Sequence, residues 1–281
     1  MSEESPQLPE VGPWALDKLE RLRKYLSAYT TILRKQNLRY VYIDALAGAG
    51  QSLLRGDAGA RQVLEGSPRV ALNIKHPFRH YVFIEKDRAR ATELRKLKEE
   101  YGSTRRVTVV EGGCGAYLLD LANKRKQLRG WRGVVFLDPF GMQVPWEILA
   151  SLGGTGVFEV ILNLPIGMAI QRLMPRQLVK LTAERRARLD GYFGDPGWFD
   201  VVYPEDNTLF GLERIKTHGS SKKLVEWYRG RLSGPFGLVS PAHLVRNTQG
   251  GHLYYLIWAG PNATGLKIAS DVLLGPANRK P

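Results

Sequence analysis

The sequence predicts an α/β protein built on a mostly parallel sheet. Two observations carry this prediction: short apolar runs typical of buried strands, and helical patterns between them. Right-handed crossovers in such βαβ units bring the carboxyl ends of all parallel strands to one edge. The predicted strands are residues 40–43, 81–84, 107–110, 134–137 and 157–164, and the predicted helices between them are residues 88–101, 114–128 and 145–152.

The first predicted strand runs directly into a glycine-containing loop. The strand ends at Asp44, and residues 45–50 contain Gly48 and Gly50. Glycine has no Cβ, so a loop of this kind lets backbone N–H groups approach a ligand closely. The full G-x-G-x-x-G fingerprint is absent, which leaves a tight turn without a ligand as the alternative.

Four of the predicted strands end at a carboxylate. These residues are Asp44, Glu85, Glu111 and Asp138. Because open α/β sheets bind ligands outside the carboxyl ends of their strands, we expect these side chains on one ligand-binding rim.

The rest of the chain predicts a single domain behind a short tail. Residues 1–13 are acidic and rich in proline, which favours disorder. Residues 14–281 are predicted to form the domain, in which residues 14–37 are an amphipathic helix that covers the sheet. Its other parts are a cofactor-binding core at 38–165, an insertion of helices and loops at 166–236, and a closing antiparallel hairpin with a last helix at 237–281.

The composition narrows the class of protein. A net charge of +14 and a pI near 9.9 favour binding to polyanions such as nucleic acid. The alternative is a set of solvated basic helix faces with no such role.

The chain has one cysteine and five scattered histidines, so we expect neither a disulfide nor a metal site. Apolar runs are too short for a membrane span and the N-terminus has no signal pattern, so we expect a cytoplasmic protein with no membrane partner.

A short motif follows the fourth strand. Asp138, Pro139, Phe140 and Gly141 resemble the D/N-P-P-Y/F motif of methyltransferases that modify exocyclic amino groups, although the second proline is missing. A carboxylate and a backbone carbonyl can hold both hydrogens of an amino group, and an aromatic ring can stack on the base. The alternative is a structural turn with Phe140 in the core. Asn163 could line the same pocket or cap the helix that follows it.

The order of elements is similar to the class I methyltransferase fold, a Rossmann-like fold with a mostly parallel seven-stranded sheet, a C-terminal antiparallel hairpin and, here, an N-terminal helix. The loop D-x-x-A-G-x-G resembles a loop that binds S-adenosylmethionine. The resemblance implies S-adenosylmethionine as cofactor, with Glu85 on the ribose hydroxyls. It also assigns cofactor contacts to Asp44, Ala45, Gly48, Gly50 and Gly113.

Several longer segments resemble the three-Cys-motif partner family, a bacterial group with a methyltransferase-like fold. They include YIDALAGAG, FLDPFGMQVPW and LPIGMAI, and together the similar segments span most of the chain. The resemblance implies a partner, a radical-S-adenosylmethionine-like protein with a three-cysteine motif. Two positions depart from the family pattern: Leu46 replaces a phenylalanine, and Gly113 replaces an aspartate that can bind adenine. Adenine recognition would then fall to backbone groups or to Glu111.

Two functions follow from these observations. The first is methylation of a nucleobase nitrogen, in nucleic acid or a nucleotide, with Asp138, Pro139 and Phe140 as the catalytic residues. The second is a non-catalytic nucleic-acid-binding or adaptor protein on a methyltransferase scaffold, acting with the three-cysteine partner.

Overall fold

The structure is a computed structural model that describes residues 8–36, 38–55, 61–208 and 211–274. The first half of the described chain contains β1 (Glu10–Val11), α1 (Trp14–Leu33), β2 (Arg39–Asp44), β3 (Gln51–Arg55), β4 (Arg61–Glu65), α2 (Ser67–Leu72), β5 (His80–Glu85), α3 (Arg88–Tyr101), β6 (Val107–Glu111), α4 (Cys114–Asn123) and β7 (Trp131–Leu137). The second half contains α5 (Trp146–Gly154), β8 (Phe158–Leu164), α6 (Gln171–Leu173), α7 (Ala183–Phe193), α8 (Trp198–Val202), β9 (Glu205–Thr208), β10 (Gly211–Arg214), α9 (Ser220–Phe236), β11 (Leu238–Val239), β12 (His243–Arg246), β13 (His252–Gly260) and α10 (Ala263–Leu274). Short 3-10 turns lie at Arg125–Leu128 and Leu178–Lys180, and a π-helical turn lies at Ile166–Ile170.

The central sheet confirms the predicted fold class. Its strand order is β11-β13-β8-β7-β2-β5-β6, with β12 also paired to β13. The five predicted strands β2, β5, β6, β7 and β8 are mutually parallel. The antiparallel strand β13 joins them at β8, so the sheet is mixed.

The sheet has eight strands where seven were predicted. The first strand of the predicted closing hairpin is interrupted at Ser240 and Pro241, because proline has no N–H to donate to a ladder. Its two pieces, β11 and β12, pair with successive parts of β13.

Helices cover both faces of the sheet. Alternate residues of β2 show this: Tyr42 packs in the cluster that contains the buried face of α1, whereas Val41 and Ile43 pack in the cluster on the opposite face with α4 and α5. The predicted covering helix is confirmed as α1, which ends at Leu33.

One prediction for the N-terminal segment is corrected. Residues 1–7 lie outside the described residues, but Glu10 and Val11 form β1, so the predicted disordered tail does not reach Pro13. The strand β1 pairs with β3, which forms a hairpin with β4, and the sequence analysis predicts none of these three strands. In the part of the chain that the structure describes, no helix is both long and apolar enough to cross a membrane.

Candidate functional site

The loop after β2 has the backbone geometry that its glycines predict. Gly48 and Gly50 have φ values of 63° and 75°, in the left-handed region that favours glycine. A Cβ built on Gly48 meets no atom within 4 Å, whereas one on Gly50 lies 3.1 Å from Leu97 of α3. Gly48 is therefore the open position of the loop, and Gly50 allows the loop to pack against α3.

Glu85 ties this loop to the end of β5. Its Oε2 atom accepts a hydrogen bond from the Gly48 N–H at 2.9 Å, and its Oε1 atom accepts one from the Asp87 N–H at 2.8 Å. Each carboxylate oxygen has a second lone pair, so Glu85 retains acceptor capacity for a ligand.

A cavity of about 320 Å³ opens beside Glu85. Ala45 and Leu46 line one side of it, and Gly112 and Gly113 line another. Cβ atoms built on these two glycines meet no atom within 4 Å. The cavity wall is thus formed by backbone that a larger side chain would obstruct.

A smaller cavity, of about 90 Å³, lies on the other side of the loop. Lys18 and Asp138 line it together with Gly48, and Phe140 and Arg90 line both cavities. The two cavities therefore share a boundary, and the predicted cofactor residues of the loop lie next to the predicted catalytic residues.

Asp138 is held from two sides. Its Oδ1 atom accepts a hydrogen bond from the Asn163 Nδ2 atom at 2.6 Å, and its Oδ2 atom forms an ion pair with the Lys18 ammonium. The turn that follows β8 has no side-chain cap, so the structure assigns Asn163 to Asp138 rather than to a capping role. The Asn163 Oδ1 atom is buried and accepts no hydrogen bond from another described residue.

Lys18 is the residue at this site that the sequence analysis missed. It comes from α1, and its side chain is 14% exposed. One signal was present: Lys18 lies three residues after Ala15 and four before Leu22, both buried on the apolar face of the helix. A lysine within an apolar stripe indicates a partnered charge.

Phe140 is 63% exposed, so the core-packing alternative for this ring is wrong. Its backbone N–H donates to the Gln143 side chain at 3.0 Å, which fixes the turn, while Pro139 is buried. The aromatic face is thus available at the boundary of the two cavities.

Asp44 lies beneath the loop, fully buried, and lines neither cavity. Burial raises the pKa of its carboxyl from 3.8 to about 7, against the opposing effect of hydrogen bonds with Ser67 and Tyr42. Direct contact between Asp44 and a cofactor stays a prediction.

Glu111 points away from the larger cavity. Its carboxylate is ion-paired with Arg95 of α3 at 2.6 Å on the surface. The polar surface at this end of the cavity therefore comes from the backbone of residues 112–115. Within the described ranges, no group of three or more His, Cys, Asp or Glu side chains is arranged to hold a metal ion.

No protein-family model matches the chain, and no curated protein matches it. Among solved structures, a Legionella pneumophila protein of the family model DUF519 aligns with a TM-score of 0.51 and 12% identity, over 90% of this chain and 90% of that chain. Spermidine synthase from Thermotoga maritima aligns with a TM-score of 0.42 and 12% identity, over 95% of this chain and 66% of that one. An O-methyltransferase from Bacillus cereus, solved in complex with SAH, aligns with a TM-score of 0.37 and 14% identity, over 85% of this chain and 80% of that chain.

Proposed function

We propose that the protein is an S-adenosylmethionine-dependent methyltransferase that modifies a nitrogen of a nucleobase. The observation that supports this most directly is the shared boundary of the two cavities. The larger cavity carries Glu85 and the start of the loop at Ala45 and Leu46, and the smaller one carries Asp138 and the loop glycines, with Phe140 lining both. A donor and an acceptor bound in these cavities would meet there, and positioning two reactants supplies much of the catalysis of a methyl transfer.

The residues of the larger cavity suit the cofactor. Glu85 offers two carboxylate oxygens to a pair of ribose hydroxyls, which is a favourable match of donors and acceptors. Gly112 and Gly113 leave room for a flat ring against the backbone. S-adenosylmethionine, when bound, supplies an electrophilic methyl group. The Legionella likeness shows the fold alone, so the cofactor assignment depends on these residues.

The smaller cavity suits an amino group. Lys18 and Asn163 fix the Asp138 carboxylate, and each of its oxygens keeps a further lone pair for an N–H donor. The unpartnered Asn163 Oδ1 atom is a second buried acceptor nearby. Phe140 can stack on the base that carries the amino group. These residues would turn the nitrogen lone pair toward the methyl donor.

The sharpest test of cofactor binding is Gly113→Leu. Gly113 has φ −74° and ψ 136°, values that any residue adopts, and its added side chain would project into the cavity. We expect normal folding and a loss of affinity for S-adenosylmethionine and S-adenosylhomocysteine of about 1–3 kcal/mol or more, because new methylenes would occupy ligand space. Titration calorimetry measures this loss directly.

The control is Gly191→Leu on α7, where an added Cβ also meets no atom within 4 Å. Unchanged affinity in this variant would show that the effect at Gly113 is local. If the wild-type protein binds neither S-adenosylmethionine nor S-adenosylhomocysteine, the methyltransferase proposal is wrong.

The second candidate is a non-catalytic binding protein on the same scaffold. It is favoured by the structural contacts that Asp138 already makes with Lys18 and Asn163 and by the basic charge of the chain. The three-cysteine partner implied by the family resemblance would fit this role as well. Methylation assays with a mixture of nucleic acids and radiolabelled S-adenosylmethionine separate the two candidates, since only an enzyme would transfer label.

A further inference from the structure

Exposed arginines flank the candidate site on both sides. Arg88 begins α3, directly after β5, while Arg172 and Arg176 lie in and after α6, beyond the end of β8. All three side chains lack an ion pair or hydrogen bond with any other residue in the described ranges. Elsewhere several arginines are neutralised by carboxylates, as for Arg69 with Glu100. The chain segments that follow β5 and β8 therefore carry unpaired positive charge, and β7, which leads to Phe140, lies between these two strands.

The backbone that presents the second group of arginines is anchored. The Met174 carbonyl accepts a hydrogen bond from the Lys216 ammonium at 2.5 Å, and the Pro175 carbonyl accepts one from the Tyr203 hydroxyl at 2.7 Å. Met174 itself is 3% exposed. The two cations thus stand on a fixed segment, which reduces the entropy lost when they bind a ligand.

The strands that lead to the two groups of arginines lie well apart in the sheet. From β5 to β8 the order is β5-β2-β7-β8, which is three strand intervals. At about 4.8 Å per interval, the carboxyl ends of β5 and β8 are separated by roughly 14 Å. Phosphates of a stacked strand are about 3.4 Å apart along its axis, so this separation corresponds to roughly four nucleotides.

We propose that the substrate is a single-stranded nucleic acid that lies across the carboxyl edge of the sheet. Its phosphates contact Arg88 on one side and Arg172 and Arg176 on the other, and its target base is displaced onto Phe140. A single strand is favoured because its bases are free to leave the stack and meet an exposed aromatic ring. The position of the target base rests on the proposed function, whereas the path of the phosphates rests on the arginines.

The test uses fluorescence anisotropy with labelled 12-nucleotide RNA and DNA of mixed sequence and the full-length protein. The variant Arg172→Gln/Arg176→Gln removes two charges from the path. Its matched control, Arg125→Gln/Lys126→Gln, removes two exposed charges just before β7, at the opposite edge of the sheet. Both changes lower the net charge equally, so they separate a defined path from general attraction.

We expect the variant Arg172→Gln/Arg176→Gln to bind the oligonucleotide roughly tenfold more weakly than wild type. The slope of log K against log salt concentration should become shallower by about 1.4. The control should bind like wild type, and unlabelled strands of at least about five nucleotides should compete far better than mononucleotides. Separate titrations with the RNA and the DNA oligonucleotide identify which nucleic acid the protein prefers. Equal losses in both variants, or mononucleotides competing as well as the 12-nucleotide strand, would overturn the proposal.

Calorimetry with S-adenosylhomocysteine on the same preparations keeps the two proposals apart. If the protein does not bind S-adenosylhomocysteine but the variant Arg172→Gln/Arg176→Gln binds oligonucleotide more weakly than its control, the proposed nucleic-acid path is supported and the methyltransferase proposal is wrong. If the protein binds S-adenosylhomocysteine but binds no oligonucleotide at low salt, the proposed nucleic-acid path is wrong and the methyltransferase proposal is unaffected.

Discussion

Replacing Glu159 with glutamine should stabilise the protein, and the gain should grow as the pH rises. Glu159 lies in β8 and is 5% exposed. It accepts a hydrogen bond from the Tyr25 hydroxyl of α1, and that hydroxyl accepts one from the Trp258 indole of β13 at 2.7 Å. Burial raises the pKa of the Glu159 carboxyl from 4.5 to about 7, with the hydrogen bond from Tyr25 opposing the shift.

The expected magnitude follows from this difference in pKa. The folded protein holds the Glu159 proton more tightly than the unfolded chain, so this group favours folding below pH 4.5. That contribution decreases by about 1.4 kcal/mol per pH unit as the pH rises to about 7. Above that pH, Glu159 no longer changes the free energy of unfolding. The total is about 3 kcal/mol. Glutamine has the shape of the protonated carboxyl, so Glu159→Gln removes the titration and keeps the packing.

Urea unfolding of wild type and variant at half-unit intervals from pH 4.5 to pH 8.5 measures the effect. The difference in the free energy of unfolding should rise by about 3 kcal/mol toward pH 7 and then level off. Glu184→Gln, at an exposed position in α7, is the control and should show no such trend. A difference that is flat with pH, or that favours wild type at alkaline pH, refutes the assignment of a neutral Glu159 in the folded state.

Three further changes test the acceptor side of the site. Asp138→Ala should leave the affinity for S-adenosylhomocysteine nearly unchanged in calorimetry but lower turnover by at least ~100-fold, because the carboxylate faces the acceptor; full activity would exclude this role. Phe140→Ala should weaken binding of the acceptor strand by about 1–3 kcal/mol in anisotropy if the ring stacks on a base, and unchanged affinity would remove the ring from the binding surface. Lys18→Met should destabilise the protein by about 1.5–3 kcal/mol in urea unfolding, since the partly buried Asp138 loses its cation; no change would show that solvent already satisfies Asp138.

The strand positions and the parallel order of the sheet were predictable because each strand is a short apolar run that ends at a polar residue. The same pattern placed Glu85 and Asp138 at one edge, as the structure confirms. The β3–β4 hairpin was not predicted, since each of its strands has only five residues and two adjacent apolar residues instead of an alternating pattern. A run this short and without alternation does not separate a strand from a loop.

Side-chain partners were harder to predict than positions. The motif around Asp138 indicated a polar site, but nothing local to it indicated the pairing with Lys18, which is 120 residues away in the chain. For Asn163 the sequence also predicts a helix cap, because local hydrogen bonds are the usual role of asparagine at such positions. Long-range pairs of this kind depend on how α1 crosses the sheet, and strand and helix patterns carry no information about that crossing.

The helix α1 connects the buried core to the candidate site. Lys18 and Tyr25 are seven residues apart, which places them on one face of the helix, two turns from each other. Tyr25 is fixed to Glu159 in β8, and Lys18 is fixed to Asp138 at the end of β7. Because one rigid helix makes both contacts, the packing around Glu159 determines the position of the Lys18 ammonium group beside Asp138. The conservative Glu159→Gln change, which keeps that packing, should therefore alter stability with pH while leaving methyl transfer intact, whereas a large cavity at Tyr25 should disturb both.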